Sequence, residues 1–503
     1  MTRPVLSFSG GIAALLLSTA AWADVTPEQV WQNWQDVSSS YGQTLAATSQ
    51  ERQGETLVIS GMSISSTFEG GAVNGRIDTV NFRDLGDGRV EVTMSPEYPL
   101  TVDSTTPEGA KSRVTVTVRQ PDLVIIASGD AAETRYDFTG PSVKVSLNEV
   151  TTDGTPVDMA LEVDVTTIAG NYTVTAGDTP KLTSSLTADN AAMTLALNDA
   201  ETSAKFNMKG NFTTLAGTSA GSLLDMAAMA DMGAALKAGF TSDTSFTYGA
   251  GELEFDFAEG EQTGSGKGTV GSGNIAFAMD ADRLNYGGGA KDVTLTVSSS
   301  DMPVPQLTTS YAEAAFNLLM PVSKAETPGE FALLTRLVDF TINDEAWGLV
   351  DPGAVLPRDP ATVIVDVTGT MKWLVEIMTP AETEAMAPDQ MPAEVNTLNV
   401  NDLTVRAAGA EVTGKGAFTF DNTDTTTFPG IPAPTGTLDL RIVGANTLID
   451  KLIQLGFLPE DQAMGARMMM GLFAKPVEGE ADTLTSTLEF KDKGFYANGQ
   501  RLQ

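Results

Sequence analysis

The sequence predicts a mainly β protein with interspersed helices, an α+β chain built on large, curved antiparallel sheets with covering helices. Three observations carry this. From Glu55 onward, apolar residues recur with period two in one run after another. The runs are rich in Val and Thr, which suits a half-exposed pleated surface. They are separated by turn compositions such as Gly86-Asp87-Gly88, Pro96 to Pro99 and Thr106 to Gly109. Short alternating runs joined by short turns imply antiparallel neighbours.

At the N-terminus, Arg3 precedes an apolar stretch centred on Ile12 to Leu17, followed by Ala21-Trp22-Ala23. Small residues at the two positions that a signal peptidase reads predict cleavage before Asp24, with residues 1–23 a signal peptide. The alternative, an uncleaved anchor, needs a longer stretch less interrupted by Ser and Gly. The mature chain is therefore expected to be exported. No later segment approaches 18 uninterrupted apolar residues, so no transmembrane helix is expected in the mature chain.

Residues 24–220 read as a helix followed by an antiparallel sheet. Thr26 caps the helix, Pro27 opens it and Glu28 suits its positive end. Val30, Trp31, Trp34, Val37 and Tyr41 recur at helical spacing within 24–50. Strands are expected over Thr56–Ser65, Gly75–Phe82, Arg89–Met94, Ser112–Val118, Leu123–Ser128, Thr134–Phe138, Ser142–Leu147, Met159–Thr167, Asn171–Thr175 and Leu182–Ala188. The pattern continues through Met193–Leu197 and Ala204–Thr213.

The central region, 221–378, interleaves helix and sheet. Leu223, Met226, Met229, Met232, Leu236 and Phe240 form one helical side. That stripe reads as core packing or as an adaptable binding surface. Strands resume from Asp243 to Ser298, with Gly287–Gly289 read as a turn. Tyr311–Leu319 and Phe331–Phe340 read as helices, and Ala361–Thr368 as a strand. The Pro-, Ala- and Glu-rich stretch 379–394 reads as a linker or loop. The C-terminal region, 395–503, is predicted as sheet, a helical pair over Thr447–Phe457 and Glu460–Phe473, and a terminal hairpin around Asp492-Lys493. Gly264–Phe277 and Thr413–Phe420 resemble each other, with Lys209–Phe212 a fainter copy. This suggests repeated hairpin modules too irregular for a solenoid.

Composition removes much chemistry. The 503 residues contain no Cys and no His, so a histidine triad and the usual zinc ligand sets are excluded. Ser-x-x-Lys and Lys-Thr-Gly spacings are missing, and Gly266-Lys267-Gly268-Thr269 lacks the loop length of a phosphate-binding loop. No catalytic residue and no cofactor is expected, and the chain is read as non-enzymatic. The 65 acidic and 30 basic residues give a formal charge of −35, which disfavours nucleic acid as a partner. An envelope protein or a lipid remains as partner; the oligomeric state is left open.

Two candidate sites follow. Val114, Val116 and Val118, with Val363, Val365 and Val367, are alternating apolar positions that either line a lipid-holding groove or face a packed core. Asp421 and Asp424, in Asp421-Asn422-Thr423-Asp424-Thr425, place several oxygens together for a calcium ion. The segment lacks the Gly and twelfth-position Glu of an EF-hand, and the competing reading is a solvated hairpin loop. An outer-membrane barrel fits poorly, because many outward positions are Thr, Ser, Asp or Ala and helices interrupt the pattern.

The ending Leu484–Phe490, then Lys491-Asp492-Lys493-Gly494-Phe495-Tyr496-Ala497-Asn498-Gly499-Gln500-Arg501-Leu502, is a strand, a turn and a strand closing on Asn-Gly-x-x-Leu. It resembles the ending of the DUF2125 family of exported alphaproteobacterial proteins, and more distantly that of the YdgA-like (DUF945) envelope proteins. The Trp-containing leading helix and the helical pair agree with DUF2125. The resemblance implies a periplasmic, sheet-rich envelope protein without assigned catalytic residues. By looser analogy it is similar to AsmA-like proteins, whose long grooved sheets are thought to hold lipid. A calcium-stabilised secreted surface protein is the further alternative.

Overall fold

The computed structural model describes residues 24–503 except 69, 108, 178, 200–201, 224–230 and 380–390. The expected signal peptide and most of the expected linker therefore lie outside the described residues. The strands pair antiparallel into a single ladder. It begins with helix α1 (Pro27–Ser40), closed by a capping box between Thr26 and Gln29. The helix stops well before residue 50. After Tyr41, only Leu45 continues the apolar series, and the chain instead forms β1 (Gln43–Ala46) and β2 (Ser49–Gln53).

Both pair with β3 (Thr56–Phe68), which pairs with β4 (Gly71–Asp84). The two halves of β4 are met by separate strands, β5 (Val90–Met94) and β6 (Glu97–Thr105). These pair in turn with β8 (Val124–Gly129) and β7 (Lys111–Arg119). The long strand β9 (Glu133–Thr152) pairs with both β7 and β8 and with the short β10 (Thr155–Pro156). Then come β11 (Asp158–Thr175), β12 (Lys181–Asn198) and β13 (Lys205–Ser222).

The arrangement of β4 to β9 then recurs. Helix α2 (Met232–Lys237) leads to β14 (Ser242–Tyr248) and β15 (Gly251–Glu259), which meet the two halves of β13. These pair with β17 (Ser272–Met279) and β16 (Gln262–Val270), and both of those pair with the long β18 (Arg283–Ser299). The ladder continues through β19 (Leu307–Pro321), β20 (Gly329–Ile342), helix α3 (Asp344–Val350), β21 (Ala361–Trp373), β22 (Ala393–Ala407), β23 (Ala410–Asp421) and β24 (Ala433–Val443). Helices α4 (Ala445–Gln454) and α5 (Glu460–Phe473) and the short β25 (Lys475–Pro476) precede β26 (Thr483–Lys491), which pairs with β24. The terminal strands β27 (Gly494–Ala497) and β28 (Gln500–Arg501) complete it.

Several expectations are corrected. Tyr311–Leu319 and Phe331–Phe340 are the strands β19 and β20, not helices. Their Ala, Glu and Leu content favours helix locally, but pairing on both flanks overrides that preference. Apolar Ala315, Leu319, Ala332 and Leu334 on the second face also blur the period-two signal. Gly287–Gly289 lie inside β18 rather than in a turn, and Gly264 and Gly266 lie inside β16. Of the predicted helix from Leu223 to Phe240, Met226 and Met229 lie outside the described residues; Leu223 follows β13, and among the described residues of that segment only Met232–Lys237 is helical.

Many expected short strands are halves of long ones. Thr134–Phe138 and Ser142–Leu147 are both within β9; Met159–Thr167 and Asn171–Thr175 are both within β11. The apolar alternation changes phase mid-strand. In β11, Val163 and Val165 precede Thr167, whose φ is +54°, and Ile168, Tyr172 and Val174 follow it. Gly61 in β3, Thr214 in β13, Asp292 in β18 and Asp339 in β20 also have positive φ. The phase change keeps apolar side chains on one physical face. Ile59 and Met62 of β3, and Ile77 and Val80 of β4, lie on either side of it, yet all four join one buried cluster beneath α1.

Candidate functional site

The register of the ladder defines a row of directly paired residues across the sheet. It runs Leu57, Phe82, Val92, Ile125, Phe138, Gly170, Leu186, Gly217, Phe246, Ile275, Gly288, Phe316, Thr335, Val365, Leu403, Gly414, Leu440, Ser486. Paired residues of neighbouring strands project from the same face. None of these residues is charged, and only Thr335 and Ser486 carry a polar side-chain atom. At about 4.8 Å per strand, the row follows a path of about 80 Å.

Its first end lies in the main buried cluster, and its last residue is buried. At the first end, Val30 and Trp31 of α1 pack with Leu57, Phe82, Val92 and Ile125 in the main buried cluster. Trp34 meets the Phe82 ring edge-on, with centroids 5.2 Å apart. Tyr136, stacked on Tyr172 at 4.5 Å, donates a 2.7 Å hydrogen bond to Asn33 Oδ1. Burial pushes the Tyr136 and Tyr172 hydroxyls well above the usual tyrosine range. At the other end, Ser486 Oγ donates to the Phe473 carbonyl of α5 at 2.6 Å.

Between these ends the row is open. Leu186, Ile275 and Phe316 are 42%, 45% and 40% exposed, while Phe82 and Val92 are fully buried. An adjacent row through Phe277, Tyr286, Leu318, Leu333 and Val367 behaves alike, with Tyr286, Leu318 and Leu333 exposed. A single exposed leucine is ordinary on a protein surface; contiguous exposed rows are not.

Glycines form the floor beneath the aromatic rings. A Cβ on Gly170 would stand 2.6 Å from Phe138 Cζ, and one on Gly369 would stand 2.5 Å from Phe331 Cε1. Cβ atoms on Gly251, Gly264, Gly266 and Gly273 would overlap the rings of Phe212, Phe257, Phe255 and Tyr248. Each ring lies down across the neighbouring strand, the arrangement by which aromatics compensate for glycine in a sheet. The resulting surface is apolar and smooth. Where the two halves of the long strands meet, Phe212, Tyr248, Leu253, Val293, Leu295 and Tyr311 surround an apolar depression of about 280 Å³. Phe212 and Tyr248 touch edge-to-face at 5.2 Å, across the phase change at Thr214.

The opposite face is charged. Lys144 pairs with Glu162 at 2.8 Å, Lys267 with Glu254 at 2.9 Å, and Arg336 with Glu313 at 3.6 Å. At these strands the sheet is amphipathic.

The six valines singled out from the sequence all lie on the apolar face. Val365 belongs to the long row, and Val363 and Val367 to its neighbours on β21. Val114, Val116 and Val118 lie on β7. Val118 belongs to a second row through Tyr98, Val145, Val163, Met193, Gly210, Leu253, Gly268, Leu295, Thr309 and Ile342. Val118 is buried, whereas Val363 is 37% exposed. Sequence reasoning missed the aromatic–glycine pairs, whose only signal was glycine recurring at alternate positions inside valine- and phenylalanine-rich runs.

Asp421 and Asp424 lie together in the loop after β23, but their oxygens already have donors. Asp424 accepts from Thr426 N, Thr427 N, Thr426 Oγ1 and Thr427 Oγ1, and from Lys493 Nζ at 2.8 Å. Asp421 accepts from Thr423 N and Oγ1. Lys493 and the threonine donors hold the Asp424 carboxyl well below the usual aspartate range. Among the described residues, no group of three or more acidic side chains is placed to hold a metal ion.

A family profile described as an uncharacterized protein conserved in bacteria, DUF2125, matches residues 235–499, more than half of the chain. The chain belongs to the DUF2125 family. Its matched part runs from α2 to the terminal hairpin, so it includes the row from Phe246 to Ser486, with exposed Ile275 and Phe316. No curated protein and no solved structure matches. The likeness of the C-terminal ending to DUF945 proteins has no counterpart in these comparisons.

Proposed function

We propose that this DUF2125 protein is a non-enzymatic periplasmic envelope protein whose open apolar face holds the acyl chains of lipid. The observation that carries the reading is the uncharged row from Leu57 to Ser486, buried at its first end and solvent-exposed at its centre. A sheet of this width curls or splits rather than staying flat. Curling toward the apolar face makes a groove, with α1 and the α4–α5 pair as covering helices at its two ends.

Dimensions favour a track over a single pocket. A row of about 80 Å is about five times the depth of one leaflet, half of a hydrocarbon core of about 30 Å. The recumbent rings favour acyl chains over an interdigitating protein surface, because they leave few knobs or holes for a partner's side chains to lock into. A hydrolytic or group-transfer role has little support, since the sequence supplies no His or Cys and the row has no charged group.

Native mass spectrometry of the chain purified without detergent from the cells that make it, followed by lipid extraction, tests the reading. Co-purifying acyl lipid supports it. A bare mass, together with no uptake of a fluorescent fatty acid, removes it.

A further inference from the structure

Helix α5 turns its apolar side outward. Met464 and Met468 are 70% and 71% exposed, Leu472 is 46% exposed, and these three follow one another at four-residue spacing. Met469 at 50% and Phe457, just before the helix, at 54% extend the patch. Of the 14 residues of α5, only Ala463 is buried. The helix is nonetheless fixed in place: its last carbonyl, at Phe473, accepts from Ser486 Oγ at 2.6 Å and from Asn498 Nδ2 at 2.9 Å. Ser486 is the terminal residue of the apolar row. The patch therefore sits where the row reaches its last strands.

We propose that α4–α5 docks the protein on a lipid bilayer of uncharged, zwitterionic headgroups, through shallow insertion of Phe457, Met464, Met468, Met469 and Leu472. The proposal rests on the acyl-chain reading of the row, to which the docked helix would give access from a membrane. An amphipathic helix lying in the interface buries its apolar stripe among headgroups and upper acyl chains. Unbranched methionines suit such a fluid surface.

Charge selects the kind of lipid. The helix starts with Glu460 and Asp461, and its Arg467 is paired with Asp450 of α4. No unpaired basic stripe flanks the patch to attract an anionic leaflet, and the formal charge of −35 repels one. A second copy of the chain is a poorer occupant for the same reason, since it brings an equal negative charge. Helix α3, at the same strand end, also exposes Leu349 and Val350, which widens the apolar rim at that end.

The test is flotation of the chain from residue 24 onward with phosphatidylcholine vesicles, compared with the double variant Met464→Asp/Met468→Asp. Both positions are exposed, so folding should persist, and an unchanged circular dichroism melt checks this. The wild type should float, and the variant should bind at least tenfold less while taking up a fluorescent fatty acid as well as the wild type does. Flotation that survives both substitutions, requires anionic lipid, or requires an added protein overturns the proposal. Loss of fatty-acid uptake on substituting Phe316 by Glu, with flotation intact, separates the row from the docking helix and supports two distinct surfaces.

Discussion

The ring of Phe255 on β15 lies over Gly266 on β16, its registered partner, in space that any Cβ at position 266 would take. The pair explains why glycine recurs inside strands: it lets an aromatic ring lie flat and keeps the apolar face smooth. Gly266→Val should displace the ring and destabilise the protein by about 1–3 kcal/mol, the usual cost of overpacking. Denaturant unfolding measures this. An unchanged midpoint would show that the ring is free to move aside and that the floor is not built on this contact.

Charge placed on the open part of the row should abolish ligand binding without unfolding the sheet. Ile275→Glu and Phe316→Glu change positions that are 45% and 40% exposed. Their stability should stay within about 0.5 kcal/mol of wild type, as for ordinary surface substitutions. Fatty-acid affinity, read by fluorescence titration, should fall at least tenfold. Equal affinity would place the ligand elsewhere.

The closed end should behave as a core. Trp31 is 3% exposed, with its ring centroid 6.0 Å from that of Phe82. Trp31→Ala should cost about 3–5 kcal/mol, a far larger loss than at Ile275. Amide exchange of β3 and β4 would report whether the loss is local. A cost below about 1 kcal/mol would mean that α1 is not integral to the sheet.

The contrast between the two ends also shows what the sequence could reveal. Val114–Val118 and Val363–Val367 were legible as apolar sheet positions because their alternation is unbroken. Whether they face core or solvent was not legible, since that depends on which helix lies above them. The long strands were hidden by residues such as Thr167, where positive φ inverts the pleat and makes one strand read as two. The row itself could not be read, because it exists only through registers between residues as distant in sequence as Leu440 and Ser486. In the last hundred residues, α5 and the terminal hairpin were legible because the run Glu460–Phe473 and the turn at Asp492-Lys493 are both local signals.

Acid should loosen the C-terminal hairpin. Hydrogen bonds from Lys493 and from the Thr426 and Thr427 groups lower the Asp424 pKa below its ordinary value of 3.8. Asp482, which caps α4 through Asn446 N and Thr447 N, is also lowered: burial raises its pKa, but these and two side-chain hydrogen bonds outweigh that. A depressed folded-state pKa contributes stability that is present above the unfolded value and lost as pH falls through the folded one. The melting temperature should therefore hold above about pH 4 and fall below it, and Asp424→Asn should flatten that fall. Added calcium should leave the melting temperature unchanged, because Lys493 and the threonines already occupy the Asp424 oxygens. A calcium-dependent rise lost in Asp424→Asn would contradict this.

The most direct test of the lipid-bearing row is a photo-crosslinking amino acid placed in turn at positions 315, 316, 317 and 318 of β19. Phe316 and Leu318 face the side of the row, and Ala315 and Asn317 the opposite side. After irradiation in the producing cells, mass spectrometry should find acyl-lipid adducts at 316 and 318 and none at 315 and 317. Adducts at all four positions, or at none while a probe at exposed Met468 reacts, would contradict a lipid track on this face.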